Sequence, residues 1–440
     1  VASRRKPRAR FTHVDRIEVS LWGQTVGAVA LDPAWGYYAF RYTPEFRTTG
    51  IELAPLRMPL KEDRTFLFTD LPEATYRRLP ALLSDALPDD FGNALVDRYM
   101  ADQGIPSTDV TALDRLAYLG NRAMGALQFR PTRGAHAKTS TPIELGRLVE
   151  QARQAMHGAA QGDDDTYAAL RSIIDVGTSA GGARAKAVIA WNPVTQEIRS
   201  GQVTPPPGFE HWLLKFDGMG ADRELGDSQN YGRIEYAYFL MARAAGIDMM
   251  ESRLLEERGR AHFMTRRFDR DADERRYHIQ TLCAMDHLDF RRKGTNAYAQ
   301  LFLVIDALNL DYEAREQAFR RMTFNAMARN CDDHTKNFAF RLRQGHAWEI
   351  APAYDVTFAH NPPGDWTNQH LMSVNGKFRD IARADLLAEA ERFRIGSART
   401  VIEQVAAALG RWEEFAAEAK LPAPDVQRIG AQHLLSLRKA

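Results

Sequence analysis

The stretch that most restricts how this chain can fold is Asn330–Phe338, which reads Asn-Cys-Asp-Asp-His-Thr-Lys-Asn-Phe. Asp332 is followed five residues later by Asn337, and a further acid, Asp355, stands in Ala-Tyr-Asp-Val. Between Asn337 and Asp355 lie two β-like runs, Phe338-Ala-Phe-Arg-Leu and Trp348-Glu-Ile, on either side of Gln344-Gly-His. A hairpin returns the chain to its starting point, so Asn337 and Asp355 are brought together across eighteen positions. Read alone, the same residues fit an ordinary polar loop. The choice depends on what the rest of the chain supplies, and in what order.

Upstream, Asp175–Lys186 reads Asp-Val-Gly-Thr-Ser-Ala-Gly-Gly-Ala-Arg-Ala-Lys and runs into a strand-like segment, 187–191. Gly177, Gly181 and Gly182 would let backbone N–H groups approach a phosphate closely, although the spacing is neither of the two familiar phosphate-loop patterns and also suits a plain turn. His211-Trp-Leu-Leu-Lys215-Phe is a short apolar strand with one embedded lysine, which fits an edge strand equally well. Twenty residues on, Glu235 lies in a helix expected over 232–245. Ile234, Tyr238, Met241 and Ala245 form its apolar stripe, widened by Phe239 and Ala242. A carboxylate at the edge of such a stripe needs a partner, and Lys215 can be one. Gly246 is the expected helix terminator. A hairpin over 253–266, turning at Gly259, leads into Arg267-Phe268-Asp269-Arg270.

The remaining segments set the frame. Alternation predicts a hairpin over 14–31 turning at Gly23-Gln24, and a third strand through Tyr38, Phe40 and Tyr42. Residues 70–105 read as helical with a break at 87–93, 116–131 as a helix end entering a strand, 132–141 as a linker, and 143–157 as a helix. No catalytic constellation is visible in this first unit. From about 272 the chain reads as mainly helical, with apolar and amphipathic helices over 298–308 and 313–329. Residues 356–380 are loop-rich, and helices follow to the end, one starting near Ser397. The predicted class is α+β. Its units are a basic disordered arm (1–10), an N-terminal subdomain (11–135), a mixed α/β lobe (136–271) and a mainly helical lobe (272–440).

Composition excludes several classes. Nearly equal basic and acidic residues leave a net charge of +1, so bulk electrostatics favours neither nucleic acid nor membrane. Only Arg4, Arg5, Lys6, Arg8 and Arg10 form a basic run, read as a solvated tail or as an arm for an acidic partner. The two cysteines, Cys283 and Cys331, are far apart, which rules out a disulfide scaffold or cysteine zinc site and suits a reducing cytoplasm. No apolar run reaches the roughly 18 residues that span a bilayer.

Taken in order, the chain offers a Gly-rich loop, a strand lysine, a helix glutamate, Asp-x4-Asn and a second Asp after a hairpin. Protein kinases use this order. Each part has a bland reading, but five in one order would need five coincidences. The whole also resembles the HipA family of serine/threonine kinases, toxins of bacterial toxin–antitoxin modules. The resemblance rests on Leu87-Pro-Asp-Asp-Phe-Gly-Asn93, Gly125-Ala-Leu-Gln-Phe129, Gly181-Gly-Ala-Arg-Ala-Lys186, Leu214-Lys215, Arg267-Phe-Asp-Arg270, Asp332-Asp-His-Thr-Lys-Asn337, Tyr354-Asp355-Val356 and Val374-Asn-Gly-Lys377.

That resemblance implies a two-lobed kinase-like fold with an extra N-terminal subdomain, and ATP and Mg²⁺ as cofactors. It assigns Asp332 as the catalytic residue, Asn337 and Asp355 as magnesium ligands, Lys215 as the ATP lysine, and Glu235 as its ion-pair partner. It places Gly181, Gly182, Ala183, Arg184, Ala185, Lys186, Arg266, Arg267, Phe268, His334, Thr335, Lys336, Asn337, Tyr354 and Asp355 along the nucleotide. Ser179 matches a loop serine that is autophosphorylated and switches such kinases off, with Thr178 adjacent. The implied partners are a HipB-like helix-turn-helix antitoxin, with DNA reached only through it, and a protein substrate such as an aminoacyl-tRNA synthetase. The implied outcome is an effect on translation, with growth arrest and persistence. A small-molecule phosphotransferase, or an inactive kinase fold kept to bind a DNA-binding regulator, are the alternatives. Three departures stand out. Asp333 occupies a position where glycine is common, so it is either a solvent-facing loop acid or a charge that perturbs its catalytic neighbour. Arg266 stands where some relatives have an acid, which would change side-chain but not backbone contacts to adenine. Val356-Thr357 replaces the Phe-Gly of ordinary kinases.

Overall fold

A computed structural model describes residues 11–88, 90–133, 142–149, 185–217 and 230–438. The basic arm, Thr178, Ser179, Gly181, Gly182, Ala183, Arg184 and most of the helix expected over 143–157 lie outside the described residues.

Strands β1 (Arg16–Leu21) and β2 (Gln24–Asp32) pair in an antiparallel hairpin whose last rung is Leu21–Gln24. The turn is therefore Trp22-Gly23, one residue earlier than expected. Both residues have positive φ (48° and 80°), as a two-residue hairpin loop with the twist of its strands requires. With β3 (Tyr37–Tyr42) and β4 (Leu127–Arg130) they form a sheet in the order β3-β2-β1-β4. Its inward residues Ile17, Val19, Val29 and Phe40 pack with Phe46 and Phe66 into a separate core. The helicity expected over 70–105 is broken into Glu73–Tyr76, Ala81–Ser84 and Asp90–Asp102. Pro72, Pro80 and Pro88 interrupt it, because proline cannot donate the helical hydrogen bond and restricts the residue before it.

The second sheet runs β5-β7-β6-β8-β10-β9, antiparallel throughout: β5 (Pro142–Ile143), β6 (Lys186–Trp191), β7 (Ile198–Ser200), β8 (Glu210–Lys215), β9 (Ser252–Glu257) and β10 (Arg260–Arg266). Side chains alternate across a sheet, so its two faces carry different residues. Ala187, Ile189, Trp191, Trp212, Leu214 and Met264 face a core shared with Leu95, Val96, Met100 and Tyr118. Those last four belong to the unit expected to end at 135, so the helix Asp90–Asp102 is the back cover of the second sheet. The opposite face carries Lys186 and Lys215 and is approached by the helix Tyr231–Ala244. That approach requires Gly232: a Cβ there would lie 1.9 Å from the Ala261 carbonyl oxygen of β10. Glu235 follows less than one helical turn later and points into the same gap.

The other lobe is mainly helical. Tyr298–Ala307, Tyr312–Ala328, Arg383–Arg392 and Ala398–Leu409 gather around Phe302, Phe319, Phe324 and Val405, and the same core takes in Ile234, Tyr238 and Met241. Asp311 caps its helix by accepting from Ala314 N–H at 2.9 Å, and Arg329 ends that helix in a left-handed conformation immediately before the 330–338 loop. The expectation of helix from 272 onward fails at β11 (His278–Thr281), a strand that pairs with β13 (Ala339–Leu342), itself paired with β14 (Trp348–Ile350). The strand is four residues long and its partner lies some sixty positions away, so no local pattern reveals it. Among the described residues no helix is long and apolar enough to cross a membrane.

Candidate active site

The cleft between the lobes is lined at one end by charge. Lys186 and Lys215 are direct cross-strand partners on β6 and β8. Like charges opposite one another repel, so this pairing needs anions nearby. Lys215 Nζ donates to Glu235 Oε1 and to Asp355 Oδ1, with only 11% of its side chain exposed. Burial disfavours the ammonium, but the two carboxylates outweigh it and hold Lys215 charged, above the ordinary lysine range. Burial likewise works against the Asp355 carboxylate, yet Lys215, Lys186 and His334 together hold its pKa well below the usual carboxylate range. Asp355 adopts φ 53°, a left-handed conformation uncommon for a non-glycine residue and one that recurs at functional sites. The hairpin β13–β14 brings it back beside Asn337, and both line the cleft.

The other end is apolar. Leu213, Met249, Met250 and Ala353 line it, and the Phe268 and Tyr354 rings stack with centroids 5.6 Å apart. Burial keeps the Tyr354 hydroxyl neutral, and it donates to the Lys336 carbonyl at 2.6 Å. At the end of β10, Arg266 N–H is bonded to Glu251 O and Arg267 N–H to His211 O, so neither amide is open to a ligand. Among the described residues Phe268 N–H has no acceptor. The Arg267 guanidinium turns inward to Asp269, and Arg266 lies 3.5 Å from Glu210. The cleft is open to solvent at its mouth.

One wall of this cleft comes from the unit in which the sequence shows no site. Leu82, Asp85, Ala86, Met124 and Leu127 all line it. The Asp85 carboxylate accepts from Thr281 N–H at 2.7 Å and Thr281 Oγ1 at 2.8 Å. Burial pushes its pKa up, against the opposing effect of Lys336. The available signal was an acid inside the apolar run Leu82–Leu87.

The 330–338 loop divides its functions. Asp332 keeps 39% of its side chain exposed, and burial of the rest pushes its carboxyl upward despite His334 and a hydrogen bond from Trp366. Asn337 Nδ2 donates to the Asp332 backbone carbonyl at 2.7 Å, which ties the proposed base to the proposed metal ligand. Asp333 does not face solvent, contrary to one of its two expected readings. It is buried, 1% exposed, and accepts from Tyr298 OH at 2.8 Å, His370 Nδ1 at 2.9 Å and Leu371 N–H at 2.7 Å. Asn325 and Asn330 extend this network below the loop. Thr335 is also buried, its hydroxyl donating to Leu288 O at 3.0 Å, and His334 packs against Phe290 and Trp366. Thr335, His334 and Ala185 do not line the cleft, whereas Lys186, Lys215, Glu235, Arg266, Arg267, Phe268, Lys336, Asn337, Tyr354 and Asp355 do.

Magnesium takes oxygen ligands. Among the described residues there is no cluster of three or more His, Cys, Asp or Glu side chains able to hold a metal ion. Mg²⁺ instead takes one or two protein oxygens and completes its shell with substrate phosphates and water. Asn337 and Asp355 offer hard oxygen atoms next to two lysines suited to phosphate, so the residues fit that mode.

Comparison with known proteins gives the following. Two family models match: the HipA-like C-terminal domain over residues 178–419 and the HipA N-terminal domain over 17–130. No curated protein matches the chain. Among solved structures, HipA of the Shewanella oneidensis MR-1 toxin–antitoxin system, determined with HipB and its operator DNA, is 16% identical, with 96% of this chain and 99% of that chain covered and a TM-score of 0.65. The Helicobacter pylori proinflammatory kinase CtkA is 12% identical over 52% of this chain and 89% of its own, with a TM-score of 0.33. The Shewanella likeness extends over both lobes and the N-terminal unit, and at that identity it speaks for the fold.

Proposed function

The chain belongs to the HipA family, and from that premise we propose that it is a serine/threonine protein kinase that transfers the ATP γ-phosphate to a protein hydroxyl. The observation that carries this reading is the convergence of Lys215 on both Glu235 and Asp355, beside the loop that holds Asp332 and Asn337. The apolar end takes adenine between Phe268, Tyr354 and the methionines. Lys186 and Lys215 hold the phosphates. Asn337 and Asp355 hold Mg²⁺, which supplies positive charge to the phosphate oxygens. Asp332 orients the acceptor hydroxyl and accepts its proton as the new O–P bond forms and the bond to the leaving ADP oxygen breaks. This is catalysis by positioning and electrostatic stabilisation, with no covalent enzyme intermediate.

The Shewanella HipA was solved with HipB and operator DNA, and we extend that assembly to this chain: a HipB-like antitoxin is its partner, and DNA is reached through it. Autophosphorylation at Ser179 or Thr178 and an aminoacyl-tRNA synthetase as the protein substrate complete the reading. The test is intact-mass measurement of the purified full chain after incubation with Mg-ATP, beside Asp332→Asn. Phosphate on the wild-type chain or on lysate proteins, absent with the variant, supports a protein kinase. ATP turnover with phosphate recovered only on small molecules points to a small-molecule phosphotransferase. No turnover at all points to an inactive kinase fold.

A further inference from the structure

The loop between Ala359 and Phe378 is tied to the catalytic loop from several sides. Cys331 N–H donates to Ala359 O at 2.9 Å where the loop leaves. At its far end Asp333 accepts from His370 and from Leu371 N–H, and β15 (Met372–Ser373) pairs in parallel with β12 (Asn296–Ala297). Within the loop, Lys293 donates to the Asp365 carbonyl and, at 3.2 Å, to Asn368 Oδ1, bracketing the residues between. Trp366 stands in that bracket. Its indole Nε1–H donates to Asp332 Oδ1 at 2.7 Å, and its ring lies 6.3 Å from that of His334. Among the described residues this is the only hydrogen bond the Asp332 carboxylate accepts.

We propose that Trp366 is a positioning residue for Asp332. By engaging one carboxylate oxygen it fixes the carboxylate plane and leaves Oδ2 to meet the acceptor hydroxyl. This inference rests on the kinase reading. It also gives Asp333 a role: with His370 and Leu371 it anchors the loop that delivers Trp366. A carboxylate free to rotate presents the right lone pair only part of the time, whereas one clamped by a neutral N–H keeps its charge and loses that freedom. Charge-assisted bonds of this kind are strong enough to set an orientation.

Transfer kinetics with Trp366→Phe, which keeps a ring and removes the donor, test the idea. The expected result is a fall in kcat of about ten- to hundredfold with the KM for ATP changed less than about twofold. Trp366→His, whose ring can donate, should recover part of the rate. Wild-type kcat in Trp366→Phe overturns the proposal, as does an equal loss in Phe and His variants. A second measurement does not need activity. With the seven tryptophans labelled at the indole nitrogen, the Trp366 signal is identified by its loss in Trp366→Phe. It should move upfield in Asp332→Ala, and an unmoved signal overturns the contact. A wild-type chain that transfers no phosphate defeats the kinase reading, while the spectrum still decides the contact.

Discussion

Asp332 and Asp333 are neighbours of the same residue type, yet the regions they face are opposites. On the Asp333 side the polar groups are closed on themselves: three donors converge on one buried carboxylate, with Asn325, Asn330 and Tyr298 completing the set. On the Asp332 side one oxygen accepts from Trp366 and the side chain stays 39% exposed. A carboxylate surrounded by donors holds structure. One with an unengaged lone pair and access to solvent can do chemistry. The same contrast separates the Asp333 network from the Lys186–Lys215–Glu235–Asp355 group. That group is also largely buried, but it lines a cleft open to solvent.

Four experiments would break or sharpen this contrast. The largest effect is expected from Asp332→Asn, which should reduce transfer by about 10²–10⁴-fold while the thermal midpoint and ATP affinity stay near wild type. Retained autophosphorylation would remove Asp332 from its role. Asp333→Ala should instead lower stability, by about 3–5 kcal/mol in urea unfolding, because it leaves His370 buried without its counter-charge. An unchanged midpoint would mean the network is not structural. Glu235→Gln removes one of two anions on Lys215 and should weaken Mg-ATP binding by about 1–3 kcal/mol in calorimetry, with folding less affected. Equal affinity would leave Asp355 as the sole electrostatic partner of that lysine.

The last effect is a pH dependence. Burial opposes the charged form of His370, but Asp333 and then Cys331 outweigh it and push its pKa up to about 10. Unfolded, the group titrates near about 6.5. A pKa raised by folding gives stability that is fully present below the unfolded value and is lost as the pH rises through the folded one. The urea midpoint should therefore decline between about pH 6.5 and about pH 10. In His370→Gln that decline should flatten, and an identical slope in both proteins would show that His370 is not its source.

Much of the site was legible because it depends on short-range rules. Asp332 and Asn337 are tied by five positions, Asn337 and Asp355 by a hairpin, and Glu235 was marked by standing on an apolar stripe. The helices Tyr231–Ala244, Tyr298–Ala307 and Tyr312–Ala328 fall within one or two residues of expectation, since each buries a stripe that its own residues define. The illegible parts are contacts between distant segments. β11 is hidden in a stretch that reads as mainly helical because its ladder partner is remote. The N-terminal unit was read as carrying no site because Asp85, Met124 and Leu127 become cleft wall only when the lobes meet. Asp333 was expected at the surface or as a perturbing charge because its donors come from residues 298, 370 and 371.

By itself the sequence determined which residues can carry the chemistry and the order in which they come, because residue type and near spacing dictate loops, hairpins and helix faces. Tertiary structure alone decided what becomes of the second acid: Asp333 is buried and bonded from three sides, while Asp332, singled out by its spacing to Asn337, accepts a hydrogen bond from Trp366. That depends on which donors arrive from elsewhere in the chain, and hydrogen-bond satisfaction in a buried site is settled only when all of those segments pack together.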